Sequence, residues 1–293
     1  MPSITPSLPL ELEREIFVLA ARLHPGSIPA LLRVALRVLA WTEPYLYRVL
    51  RISQHQRSLT RVRALMRATK SKPASFFHDA IRHLVVGPCP TWTQINTLAV
   101  LKLCTGVTDF AALGELADPC MLPALARMRL QRMAGNLTRL FGGRVNMQHS
   151  IFASITHLDV FDRIAEGETH ISTRIPALPA LTHLSFHNDV VPWTKMQRVL
   201  QECPRLDVLV NLWHSTKRRY AYEKTANIPI HDVRIVLYLY NDYWGEWEAD
   251  AMGLRPSFWS VADEFVARKR KGLIKAHDYW AINWESALGT HFI

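Results

Sequence analysis

Apolar residues recur along this chain with two different periods. Near the start, Leu8, Leu12, Ile16, Leu19 and Leu23 are spaced four, four, three and four residues apart, the stripe of an amphipathic helix. Glu13, Arg14, Glu15 and Arg22 fall mostly off it. Pro9 lacks an amide hydrogen and suits the first helical position. Glu11 is then at the third, where its carboxylate can reach back to the amide of Leu8 and favour the positive helix end. Pro25-Gly26 ends the helix. Ser27 can cap a second, IPALLRVALRVLA, whose broad apolar face holds Leu31, Leu32, Val34, Ala35, Val38 and Leu39. Thr42-Glu43-Pro44 opens a third, PYLYRVL, carrying Tyr45, Leu46, Tyr47 and Leu50. Three such short helices are near the lower limit for an independent core, so they call for a partner surface.

From residue 81 the pattern changes to apolar-x-x-apolar-x-apolar, the mark of a strand with one buried face. It occurs as IRHLVV, VTDFAA, LARMRL, ITHLDV, LTHLSF, LDVLVN and VRIVLY, starting at 81, 107, 125, 155, 181, 206 and 233. LPALARMRL and LPALTHLSF match each other, as do VLKLCTGV and VLQECPRL. Most steps fall in or near the roughly 20–29 residues of a leucine-rich repeat. WTQINTLAVLKLC and WTKMQRVLQEC supply helices between strands. The expected fold is α/β: stacked strand–helix units forming a short irregular solenoid, its strands lining a concave side. A non-repeating α/β domain is the alternative. Residues that alternate with the buried ones are candidates for the concave face: Arg82, His83, Arg127, Arg129, His157, Asp159, His183, Ser185, Asp207 and Arg234.

After about residue 241 the chain becomes rich in tryptophan (Trp244, Trp247, Trp259, Trp280, Trp284), and SFWSVADEFVARKRKG reads as a helix with Phe258, Val261, Ala262, Phe265 and Val266 inward. A cap over the exposed end of the solenoid is the expectation. ARKRKG reads as a basic helix end, with a nuclear import signal as the alternative. The expected organisation is therefore a helical segment over 1–50, a basic linker helix over 51–80, the repeats over 81–240 and the cap over 241–293.

LPLELEREIF, followed by LLRVALRV and WTEPYLYRVL, resembles the F-box, in particular the divergent F-box-like segments of many fungal proteins. The resemblance rests on Leu8, Pro9, Glu11, Leu12, Ile16 and Phe17, on Val34 and Val38 of the second helix, and on Pro44 and Tyr47. Ala35 and Val38 stand where the family's Cys and Trp are usual, and the link ARLHPGS is longer than is typical. F-box-like helices followed by irregular leucine-rich repeats also resemble a common two-part plan. That resemblance implies docking to the Skp-type adaptor of a cullin ubiquitin ligase through the apolar residues above, together with Leu31 and Leu32. It also implies that the repeats hold an unknown protein substrate, with no catalysis by the chain itself.

Composition narrows the alternatives. The 293 residues are 49% hydrophobic, enough for a core. No apolar run reaches the roughly 18–20 residues that span a membrane, and the first residues lack the signs of a secretory leader. A cytoplasmic or nuclear protein is expected, with Cys89, Cys104, Cys120 and Cys203 reduced and mostly buried. No metal-ligand spacing, nucleotide loop or nucleophile motif is present, so neither cofactor nor metal is implied. The net charge of +10 is concentrated early: Arg48–Lys72 holds eight basic residues and no acid. LTRVRALMRATK places Leu59, Val62, Leu65 and Met66 on one helical face and Arg57, Arg61, Arg63, Arg67 and Lys70 on the others. A solvated helix flank accounts for this. Two further readings remain: a nucleic-acid-associated protein using residues 48–72, and an interaction scaffold that lacks adaptor binding.

Overall fold

The computed structural model describes residues 8–53, 56–89, 92–112, 114, 117–164, 171–187 and 191–281. Trp284, and the side chains of Arg57 and Leu59, lie outside the described residues. Among the described residues nine strands form one sheet: β1 (Val49–Ile52), β2 (His83–Val86), β3 (Asp109–Ala112), β4 (Arg132–Gly135), β5 (His157–Val160), β6 (His183–Phe186), β7 (Val208–His214), β8 (Ile235–Tyr240) and β9 (Trp280–Ala281). They lie in chain order, and every adjacent pair is parallel. The helices are α1 (Leu10–Leu23), α2 (Ile28–Leu31), α3 (Leu36–Thr42), α4 (Gln56–Ala68), α5 (Ala74–Ala80), α6 (Gln94–Leu103), α7 (Leu122–Leu125), α8 (Leu137–Leu140), α9 (Trp193–Glu202), α10 (Arg218–Lys224), α11 (Tyr243–Ala251) and α12 (Phe258–Arg270).

The strands from β2 to β8 begin at 83, 109, 132, 157, 183, 208 and 235, in steps of 23–27 residues. The repeat is thus more even than the sequence pattern suggested. LARMRL is not a strand: α7 ends within it, and the strand is the following RMAG. A backbone device marks the entries of β2 to β7. The carbonyl of Arg48 accepts the amides of Arg82 and His83, that of Arg82 the amides of Thr108 and Asp109, and that of Thr108 those of Gln131 and Arg132. Gln131, Thr156 and Thr182 continue the ladder. Entry backbone that would otherwise be left unpaired is satisfied by the unit before it.

One face of the sheet carries Leu84 and Val86, Phe110, Met133, Leu158 and Val160, Leu184 and Phe186, Leu209, Ile235 and Leu237. These meet Val62 and Leu65 of α4, Phe77 of α5, Leu101 of α6, Leu125 of α7, Leu140 of α8 and Val199 of α9 in one core. Two boundaries drawn from the sequence move as a result. Residues 49–52 belong to the sheet rather than to a third helix, so a break after residue 50 would cut β1. The segment over 51–80 is not a linker, because α4 and α5 bury apolar residues in the main core.

The opposite face is largely covered. Helices α11 and α12 lie across it: Trp244 and Trp247 pack on Val85, Ala111 and Ala134, and Phe258, Trp259, Ala262 and Val266 pack on Val208, Val210, Leu212, Val236 and Tyr238. The aromatic residues of the C-terminal segment are therefore mainly a roof over the sheet rather than a cap on its end. The small side chains of Ala111, Ala134 and Ser185 in the middle row leave room for them. Trp280, on the edge strand β9, sits at the end of the sheet.

Candidate partner-docking site

Helix α1 begins one residue later than the sequence suggested, with Pro9 just outside it. Its first turn still carries Glu11 and Glu13 and its last Arg22, which complements the helix dipole. The expected stripe faces outward. Leu8, Leu12, Ile16, Leu19 and Leu23 are each 47–62% exposed. Burial of α1 is confined to Ala21.

The second predicted helix is split in two. Ala35 is extended, and the break leaves Val34 exposed and Leu36 86% exposed. Its inward side is small: Ile28 and Val38 are buried, and Thr42 donates to the Val38 carbonyl at 2.8 Å. Val38 is the correction to the predicted contact set. At 0% exposure it cannot touch a partner, and it holds the segment together instead. Pro9 is exposed, whereas Phe17, Leu31, Leu32, Pro44 and Tyr47 are half-buried. Leu10, Leu36 and Leu46 are further exposed apolar residues of this segment. Leu10 and Leu36 escaped the sequence reading because they lie off the helical stripes used to find the others.

Polar contacts fix this segment. Arg37 clamps Glu13 across α3 and α1, with Nη2–Oε1 at 2.7 Å and Nε–Oε2 at 2.9 Å. Lys72 Nζ meets Glu43 Oε2 at 2.6 Å and lies 5.2 Å from the Phe76 ring centre. Phe76 meets Tyr47 edge-on at 5.4 Å. Burial and the Glu43 carboxylate raise the Tyr47 pKa above its usual value, so its hydroxyl stays neutral. The result is an apolar surface on a pinned support rather than a loose helix.

The residues expected on an open concave face have a different fate. His83, His157, Asp159, His183 and Ser185 do lie on that face but sit under α11 and α12. His157 and His183 stack at 4.0 Å, with the edge of Trp259 over both. His183 Nε2 meets Asp263 at 2.8 Å. Asp159 accepts hydroxyls from Ser185 and Tyr243. The cavity left between roof and sheet is about 30 Å³, room for little more than a water. Burying each large apolar side chain of the roof is worth roughly 1.5–3 kcal/mol, so a ligand would have to displace part of the core to reach the sheet. Arg82 and Arg234 are also engaged. Arg82 donates to the Gly106 carbonyl; Arg234 pairs with Asp232 and donates to the carbonyls of Leu200 and Leu206. Arg127 and Arg129 precede β4 rather than lie on a strand.

No family model, curated protein or solved structure matches this chain.

Other chemistry is sparse. Cys89, Cys104 and Cys203 are buried and Cys120 is exposed, all four as free thiols. Burial pushes the Cys104 thiol up to about 12 and that of Cys203, helped by Glu202, to about 11, so neither is a ready thiolate. Among the described residues no group of His, Cys, Asp and Glu is arranged to hold a metal. None of their helices is long and apolar enough to cross a membrane. The basic end of α12 is partly internal: Lys269 is buried, donates to the Ile235 carbonyl and sits 4.8 Å from the ring centres of Phe265 and Tyr279. Burial lowers its pKa to about 8. Buried and engaged in this way, the Lys269 side chain is not accessible to an import receptor.

Proposed function

We propose that this protein recruits a protein substrate to a cullin-type ubiquitin ligase, docking a Skp-type adaptor through the exposed apolar face of α1 and the adjoining α2–α3 segment. The observation that carries the reading is the α1 stripe. Five large apolar side chains at helical spacing are about half exposed or more. A contiguous exposed apolar surface of this kind marks an interaction site, and burying it on association is worth roughly 25 cal/mol per Å². Its position on the F-box-like motif supports a Skp-type partner. The nine parallel strands in chain order, with their even steps, support reading the sheet as an irregular leucine-rich-repeat solenoid. The chain would act by raising the effective concentration of substrate near the ligase, and a cytoplasmic or nuclear location goes with that role. If another protein covers the same face, the chain is an interaction scaffold without a ligase role.

Size-exclusion co-elution with a purified Skp-type adaptor tests the proposal. The wild-type chain should co-elute at moderate and high salt, and the Leu12→Asp/Ile16→Asp variant should not. Absence of a wild-type complex would remove the ligase role.

A further inference from the structure

With the inner face roofed, a recruited protein must bind elsewhere. We propose that it binds as an acidic, apolar-interspersed peptide segment in the groove between the N-terminal helices and the first strands of the sheet. The inference rests on the recruiting role for what the peptide belongs to, but not for the groove's chemistry.

The groove has a volume of about 1120 Å³ and is walled by α1, the approach to β1, α4, the entries of β2 to β4 and the end of α11. Five arginines from separate elements line it: Arg22, Arg48, Arg61, Arg82 and Arg132. Two are neutralised within the protein. Arg61 pairs with Glu248, and Arg132 pairs with Asp250 at 3.0 Å and Asp109 at 3.4 Å. Arg82 is bonded to a neutral carbonyl and keeps its full charge. Arg22 and Arg48 carry no ion pair among the described residues. Three cations are therefore uncompensated along one cleft. Arg48 and Arg82 also border a smaller cleft, but there Glu11, Glu15 and Asp79 balance them and Arg14, so an anion is favoured only on the larger side.

The remaining lining selects the class of anion. Leu46 and Leu254, both exposed, also line it, and Asp109 and Asp250 interrupt the positive charge. A nucleic-acid strand carries an unbroken row of phosphates and would meet these aspartates and apolar side chains unfavourably. A peptide can alternate carboxylates with apolar residues and match both. Guanidinium forks pair well with carboxylates. The groove also adjoins α1, which would hold the bound segment close to the adaptor.

The test uses the full chain without adaptor. A short fluorescein-labelled peptide of alternating Glu and Leu is titrated by anisotropy, beside its Lys/Leu counterpart and an oligothymidylate strand. Saturable binding of the Glu/Leu peptide alone is expected, weakened roughly tenfold or more by Arg22→Glu/Arg48→Glu. The milder Arg48→Gln should weaken it less and serves if the double variant does not fold. The Leu12→Asp/Ile16→Asp variant should bind the peptide normally, so failure of adaptor docking and failure of the groove are read separately. No saturable binding, or binding unchanged by both arginine variants, overturns the proposal. Preferential, steeply salt-dependent binding of the oligothymidylate would assign the groove to nucleic acid and overturn it as well.

Discussion

The hydroxyl of Tyr243, at the start of α11, donates to the carboxylate of Asp159 on β5, and both side chains are buried. Ser185 on β6 donates to the other oxygen of the same carboxylate. One acid thus ties the roof to two neighbouring strands at the middle of the sheet. Asp159→Ala would leave two buried hydroxyls without an acceptor, at a cost of about 2–3 kcal/mol in urea unfolding. Asp159→Asn keeps an acceptor and should cost less. Burial raises the Asp159 pKa despite both donors. The folded state therefore holds the proton more tightly, and this contribution is complete below the unfolded carboxylate value and lost as pH rises through the folded one. The asparagine variant should remove that part of the pH dependence.

His157 gives the opposite slope. Its stacking on His183 beneath Trp259 buries it, and burial, the neighbouring His183 and Arg132 lower its pKa to about 3. It is neutral in the fold, while the unfolded chain takes up a proton below about pH 6.5. Stability should therefore fall as pH drops from about 6.5 toward 3. His157→Gln should flatten that limb of a melting-temperature profile. An unchanged profile would mean that the ring is charged in place.

Gly106 lies just before β3 with its Cα against the chain that precedes β2. A Cβ there would be 1.9 Å from the His78 carbonyl oxygen and 2.7 Å from Arg82 Nη1. Gly106→Ala must push the two segments apart and disturb the Arg82 bond to the Gly106 carbonyl. A loss of about 2–3 kcal/mol is expected, read as a lower urea midpoint. Tolerance of alanine would contradict this close approach.

The α1 surface and its support should respond in opposite ways. Leu12→Asp/Ile16→Asp changes exposed side chains and should leave the melting temperature of the isolated chain nearly unchanged, within about 0.5 kcal/mol. Val38→Asp places an unpaired charge at a fully buried position and should release the N-terminal segment to proteolysis. Comparable losses in both variants would mean that the stripe is packed inside the protein.

Much of the fold was legible because ITHLDV, LTHLSF and VRIVLY each alternate a helix-side apolar residue with an inner-face one. The strand RMAG was not, since Arg, Met, Ala and Gly carry no strand propensity. Its place is set by its neighbours through the Thr108 and Gln131 carbonyls and by the contact of Gly135 with the Ala112 backbone. VLRI of β1 was hidden within an apparent helix, because four residues with mixed periodicity do not discriminate. The break at Ala35 follows residues that are all ordinary helix formers, so no local signal marks it. The α1 stripe was read correctly as an apolar face, but a stripe alone does not say whether it turns inward or outward. The roof was the largest omission. Phe258, Ala262 and Val266 form one apolar face in the sequence, yet the surface they cover is built by Val208, Val210 and Val236 on separate strands, which the periodicity of the helix does not specify.

Hydrogen–deuterium exchange of the full chain, with and without a purified Skp-type adaptor, tests the central claim most directly. The account predicts slowed exchange confined to residues 10–46 on adding the adaptor, with the strands of the sheet and α11–α12 unchanged. No protection anywhere, or protection on the roof with α1 unaffected, would contradict it.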